Sequence, residues 1–438
     1  MDVPRPSTNG LMILIGKNAP ILVRGMEHTA ALVLNGIVIQ RRTNKHGCKG
    51  PCLIFYIMKK IAGLLLLVFV ACNNTTIDDF VIEIMVDEAH LISETNLFTD
   101  IEIIPIEFKN GFVINNFAKI IKHNRFLYIL DLGGVGGGRI FKIDDTGKIH
   151  NVLSKHGQGP GEYLYLMDFD ISSSNGDLYL VDNYSRKILV YNQEFQFLQL
   201  IKPNVNFPVN TVSLIEPSKE FLIWRGNGMS LPELDFHFIL IDSEGIITDK
   251  IFPIDEFHTT SMGGLPRIWK VENEIHYLPS FSNTIYSIKN GITKNHVTFN
   301  FNRPVIQYKE YVATRNREDV IHNRSFIEGD NHIIFKYLLN SQPYLTIVDK
   351  SRKQHITLKN QKDPSCGCGS IIKTVNFFDD QLILEANNMN VESIVELLDP
   401  DNNDVIRDLW NNSGESQEIL KEQILVFTKI DYSRLARN

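Results

Sequence analysis

The sequence predicts an all-β chain: a six-bladed β-propeller of four-stranded antiparallel blades, its ring closed by pairing N- and C-terminal strands. Three observations predict it. Helical periodicity is nearly absent, and short apolar runs alternate with Asn, Asp, Gly and Ser turns. An apolar strand running into a polar turn recurs six times at spacings of about 45 to 60 residues, the range of a propeller blade. Two further apolar stretches, Asp100–Phe108 and Glu422–Ile430, flank the repeats and are placed to complete one sheet between them.

The chain's first informative segment is MKKIAGLLLLVFVACNN, Met58 to Asn74. Lys59 and Lys60 precede an uninterrupted apolar run from Ile61 to Ala71, the charged-then-apolar layout of a secretory signal. The run is shorter than the about 20 apolar residues that cross a bilayer. Its end, Phe69-Val70-Ala71-Cys72, resembles a bacterial lipobox, which implies that Cys72 becomes an acylated first residue and ties the protein to a membrane through lipid. Export machinery reads such a segment near an amino end. Residues 1–57 are therefore expected to be mis-translated upstream sequence, 58–71 the signal, 72–99 a linker and 100–431 the propeller. The competing reading keeps 1–57 as a genuine extension, in which Cys48 and Cys52 offer only two metal or redox ligands.

The repeats begin with LYILD (Leu127–Asp131) and LYLVD (Leu178–Asp182), five-residue strands ending in a turn-forming aspartate. Second strands follow at Arg139 and Lys187. Looser copies start at Phe236, Asn283, Pro343 and Ser393, preceded by strands at Phe221, Glu274, His332 and Gln381. A lone four-stranded sheet cannot bury both faces, whereas six arranged radially bury each face against a neighbour. A pair of stacked sheets is the rival architecture and does not require this recurrence. Two polar stretches, Asn302–Asn323 and Pro400–Gln423, interrupt the pattern and are expected to cap one end of the ring.

HGQGPGEYLYL (His156–Leu166) joins the first unit to the second. Its glycines and Pro160 predict a rigid turn that delivers Glu162 and Tyr163 to the next strand. It lacks the Gly-Lys-Ser/Thr of a Walker loop, and a strand rather than a helix follows, so it is no dinucleotide fingerprint. GQGPGEY (Gly157–Tyr163) followed by GDLYLVDNYSRKILVY (Gly176–Tyr191) resembles the hallmark of a family of six-bladed propeller lipoproteins of Gram-negative gut bacteria, related to the NHL-repeat propellers. The resemblance runs from about Asp100 to Ile430 and implies fold and location more than chemistry. The glycine-rich stretch Gly133–Gly138 departs from the pattern and reads as a hairpin loop.

Downstream of residue 71 the chain has 35 Lys and Arg against 49 Asp and Glu, a net charge of −14. An acidic body repels phosphate backbones, which argues against a nucleic-acid partner. Cys366 and Cys368, in CGCG, fit a plain loop, a tight disulfide or two soft metal ligands, and the sequence leaves these open. There is no Gly-x-Ser-x-Gly elbow, no His-Glu-x-x-His and no zinc spacing among histidines such as His123, His276 and His322. No catalytic residue, no metal ligand and no cofactor is assigned. The expected role is that of a non-catalytic outer-membrane lipoprotein, periplasmic or surface-facing, whose propeller loops bind a glycan, a peptide or an envelope protein. Glu162, Tyr163, Arg225, Arg267 and Trp269 are the candidate ligand-binding residues. The alternative is a calcium-dependent lactonase or esterase, since six-bladed relatives of the family include such enzymes. Its oxygen ligands would come from strand-end residues such as Glu162, Asp168, Asp182, Asn183 and Glu385.

Overall fold

The computed structural model describes Phe80 to Asp431 with breaks, the longest at 225–235, 254–267, 361–372 and 387–423, together with four short strands between residues 10 and 42. The signal segment, Cys72, the CGCG stretch and Pro400–Gln423 lie outside the described residues, as do Arg225 and Arg267. The chain divides into two compact units, Met1–Asp78 and Asp79–Asn438. In the first, β1 (Gly10–Ile15) pairs antiparallel with β4 (Ile37–Arg42), and β2 (Leu22–Gly25) with β3 (His28–Ala31).

The second unit opens with β5 (Phe80–Ile84), a 3₁₀ turn at Val86–Glu88, β6 (His90–Leu91) and β7 (Phe98–Pro105). Four-stranded meanders follow. Blade 1 is β8 (Phe117–His123), β9 (Phe126–Asp131), β10 (Arg139–Asp144) and β11 (Ile149–Leu153). Blade 2 is β12 (Leu166–Ile171), β13 (Leu178–Asp182), β14 (Lys187–Tyr191) and β15 (Phe197–Ile201). Blade 3 is β16 (Thr211–Ile215), β17 (Glu220–Trp224), β18 (Phe236–Ile241) and β19 (Ile247–Pro253). Blade 4 is β20 (Ile268–Val271), β21 (Glu274–Tyr277), β22 (Thr284–Lys289) and β23 (Ile292–Phe301). Blade 5 is β24 (Ile321–Glu328), β25 (His332–Leu339), β26 (Gln342–Asp349) and β27 (Gln354–Lys359). Blade 6 is β28 (Lys373–Phe378), β29 (Gln381–Ala386) and β30 (Ile424–Ile430), with β7 as its fourth strand.

This is a six-bladed propeller, closed as the sequence predicts. β30 pairs antiparallel with β7, from Ile424 opposite Pro105 to Ile430 opposite Phe98. The strands read as nearly continuous apolar runs because both faces are buried. In LYLVD, Leu178 and Leu180 pack toward blade 1, while Tyr179 and Val181 pack toward blade 3. Strand alternation thus feeds two cores at once. Six buried apolar clusters occur among the described residues, one between each pair of neighbouring blades, including blade 6 with blade 1.

The stretch 80–91, part of the expected linker, is built into the ring instead. β5 adds a fifth, parallel strand to the outer edge of blade 4, with Phe80 opposite Val297 and Ile84 opposite Phe301. β6 does the same on blade 5 beside Leu358 and Lys359. Ile82 and Ile84 point into the blade 4–blade 5 core, and Val81 and Met85 point outward. The chain then runs on to β7, so one strap pairs in turn with the outer strands of three successive blades, β23, β27 and β30. Asn302 and Arg303, from the first polar interruption, latch it. The Asn302 side chain accepts from Val86 N–H (3.0 Å), and Arg303 pairs with Asp87.

Candidate functional site in the central channel

The first strand of every blade faces the axis, and together these strands line a cavity of about 380 Å³. The lining runs to the C-terminal ends of the inner strands, at His123, Ile171, Val271, Glu328 and Phe378. An innermost strand has one unpaired edge, and side chains from the neighbouring blade serve it. Asp168 Oδ2 accepts from Val212 N–H (3.0 Å) and Asp170 Oδ2 from Leu214 N–H (2.7 Å), joining blade 2 to blade 3. Asn376 donates to the Ile120 carbonyl (2.5 Å), joining blade 6 to blade 1.

Lysines from other blades balance the two buried aspartates. Lys119 Nζ of blade 1 lies 2.9 Å from Asp168 Oδ1 and 2.7 Å from the Phe169 carbonyl. Lys270 Nζ of blade 4 lies 2.9 Å from Asp170 Oδ2. Burial pushes the Asp168 carboxyl up from its ordinary value, against the pull of Lys119 and the Val212 N–H. Next to Lys270, Trp269 lines the cavity, half-buried, with its remaining surface on the cores that flank blade 5.

At the end of β12, three consecutive serines close on Glu216 of blade 3. Ser172 Oγ (2.6 Å) and Ser174 Oγ (3.0 Å) donate to Oε1; the Ser173 hydroxyl and N–H donate to Oε2. Burial resists ionisation of Glu216, and the serine hydrogen bonds outweigh it, holding the carboxyl down at about 2. At the blade 4–blade 5 junction, buried Glu328 meets three donor side chains. His276 Nδ1 is at 2.6 Å, His296 Nε2 at 2.9 Å and Lys350 Nζ at 2.9 Å. Burial again opposes ionisation, and the two histidines hold the carboxyl well below the carboxylate range.

Of the residues singled out in the sequence, Trp269 lies in the channel, as does Asp168. Glu162 and Tyr163 lie in the blade 1–blade 2 turn. Glu162 accepts from Gly159 N–H (2.7 Å), and the Tyr163 hydroxyl, fully buried, donates to the Gly138 carbonyl (2.9 Å), with the Leu153 carbonyl at 3.2 Å. Burial pushes that phenol up to about 12. Gly161, at φ +73°, packs against Phe197, where a Cβ would lie 2.7 Å from the ring. Asp182 is buried and accepts from the N–H groups of Leu164 and Tyr165. Asn183 donates to Val209 O. Lys119, Asp170, Lys270, His296 and Glu328 come together with these residues only through the fold. A signal was present for some of them: charged residues inside inner strands, as in LMDFDI and IWKV, mark positions facing an axis rather than a core.

The molecule is therefore a six-bladed propeller with a channel lined by paired charges and by Trp269, Phe377 and Phe378. The family model "Domain of unknown function (DUF4934)" matches residues 79–424, and the chain belongs to that family. Among curated proteins none matches the sequence. The fold is similar to that of a Bacteroides fragilis protein provisionally described as exported. The two are 19% identical with a TM-score of 0.65, over 80% of this chain and 99% of that one. A member of the duf4221 family from Bacteroides vulgatus is 9% identical with a TM-score of 0.48, over 77% and 99%. Among the described residues no helix is long and apolar enough to cross a membrane.

Proposed function

We propose that the protein is a lipid-anchored binding module of the bacterial cell envelope, with its ligand site at the C-terminal mouth of the channel. The single observation that carries this is one cavity lined by Trp269 together with the Lys119–Asp168 and Lys270–Asp170 pairs. An aromatic face sharing a cavity with fixed donors and acceptors suits a short saccharide or peptide, and about 380 Å³ lies within the usual range of small-ligand sites, about 300–1,000 Å³. The signal-like segment ending at Cys72 supports envelope location, in keeping with the description of the B. fragilis protein. Kinship with the NHL-repeat propellers belongs to the same reading and rests on the Gly157–Tyr163 and Gly176–Tyr191 motifs.

Calcium-dependent hydrolysis is less well supported. Calcium takes about 6–8 oxygen ligands. The oxygens of Asp168 and Asp170 are instead taken by backbone N–H groups and lysine ammonium groups. The test is a saccharide and peptide array followed by calorimetry on Trp269→Ala. A ligand found by the array should lose about 2 kcal/mol of binding, some thirtyfold. Unchanged affinity in that variant would remove the channel as the site. Palmitate labelling of the native protein and of Cys72→Ser, which should abolish it, tests the anchor.

A further inference from the structure

His276 on β21, His296 on β23 and Glu328 at the end of β24 bring one ligand-type atom each within 4.8 Å of the others. The sequence separates them by 20 and 32 residues, with no zinc-like spacing. Two local features bring them together. In the β22–β23 ladder, Tyr286 faces Asn295 and Ile285 faces Val297, so His296 is the extra residue of a bulge. Bulges re-aim side chains, and this one lays the His296 ring against that of His276, centroids 4.0 Å apart and planes 25° from parallel. Glu328 is the last residue of the inner strand of the next blade, so it both receives the two rings and lines the channel.

His276 is 3% exposed and lies between two carboxylates: Nδ1 is 2.6 Å from Glu328 Oε2 and Nε2 is 3.6 Å from Glu274 Oε2. A neutral imidazole has one N–H and one lone pair. With the hydrogen on Nε2, the Nδ1 lone pair faces Glu328; with it on Nδ1, the Nε2 lone pair faces Glu274. Either neutral tautomer sets a lone pair against an anion, so the pocket calls for a positive charge on the Nδ1 side, a second proton or a metal ion. The Nε2–H then points to Glu274, the carboxylate–histidine arrangement that orients metal-bound imidazoles. Glu274 is itself held by Lys289 (2.6 Å) and Ser287 (2.9 Å). Lys350 Nζ and His296 Nε2 share Glu328 Oε1, and His276 Nδ1 meets Oε2, so each imidazole faces one carboxylate oxygen.

The geometry points to a site for one divalent transition-metal ion of the zinc class, held by His276, His296 and Glu328, with its remaining position open to the channel. Two imidazoles and one carboxylate are a three-ligand zinc set that keeps a fourth position. The ligand atoms now touch through hydrogen bonds. Loading spreads them to about 3.3 Å, the edge of a tetrahedron with bonds of about 2.0–2.1 Å. The ion would also tie blade 4 to blade 5.

The experiment uses the full chain, purified without a polyhistidine tag and stripped with chelator. Zinc is titrated by calorimetry, and cobalt by its visible d–d bands. One ion per chain is expected, with the bands of a low-coordinate cobalt complex. His296→Gln changes a partly exposed ring, so its fold should persist, as circular dichroism will show; it should abolish both signals, as should His276→Asn. Glu274→Gln should weaken binding by about 10–100-fold. Cys366→Ser with Cys368→Ser should leave binding intact. Absence of saturable binding, its survival in folded His296→Gln, or its loss in the double cysteine variant would each overturn the site.

Discussion

Asp168, Asp170 and Asn376 show how single polar residues finish a propeller's axis. Each occupies an inner strand whose edge has no further strand to pair with, and each supplies a backbone bond to the adjacent blade. Glu216 plays a related role at the mouth, where one carboxylate gathers three serines. Its pH behaviour is a direct test. The folded carboxyl titrates at about 2 against an ordinary 4.5, so its stabilisation is fully present above about 4.5 and is lost as the pH falls through about 2. Melting temperatures of the wild type and Glu216→Gln, followed from pH 6 to about 2, should differ most at the upper end and converge toward the lower. A gap that stays constant with pH would rule out ionised Glu216 as the holder of the serine turn.

At the scale of elements, the strap is the part of the fold whose energetics are easiest to separate. β5 alternates, with Ile82 and Ile84 inward and Val81 outward. Ile84 is fully buried in the blade 4–blade 5 core, so Ile84→Ala should cost about 2–5 kcal/mol through lost burial and the cavity left behind. Val81 is 44% exposed, and Val81→Ala should stay within about 0.5 kcal/mol. Urea midpoints of the two variants measure the contrast. Equal midpoints would mean that the strap is not packed on blade 4 as described. The strap was hard to read in the sequence because HL and FVIEI look like ordinary linker and strand fragments. Their partners, β23 and β27, lie 217 and 268 residues away, and parallel edge pairing leaves no turn signature between them.

For the whole molecule, closure is the decisive contact. β7 and β30 are separated by more than 300 residues, and their pairing turns six blades with two loose ends into a ring in which every core has two walls. Truncation before Ile424 leaves β29 with an open edge and strips the blade 6–blade 1 core of Leu425 and Phe427. The shortened chain should lose cooperative unfolding and bind a hydrophobic dye, or aggregate. A single sharp transition with an unchanged midpoint would show that closure contributes little.

The sequence by itself determined the blade count, the strand pairs and the closing partners, because alternation, turn residues and repeat spacing are local signals that survive without coordinates. Trp269 and Asp168 could be picked out as individual residues, but not as lining one cavity. Only the tertiary structure decided that Lys119 and Lys270 neutralise aspartates of blade 2, that the strap pairs with three successive blades, and that His276, His296 and Glu328 meet. The physical reason is that a ring sets its function along an axis, where each blade contributes a few side chains. Which of them meet depends on inter-blade register and on one bulge, and neither leaves a fixed spacing in the chain.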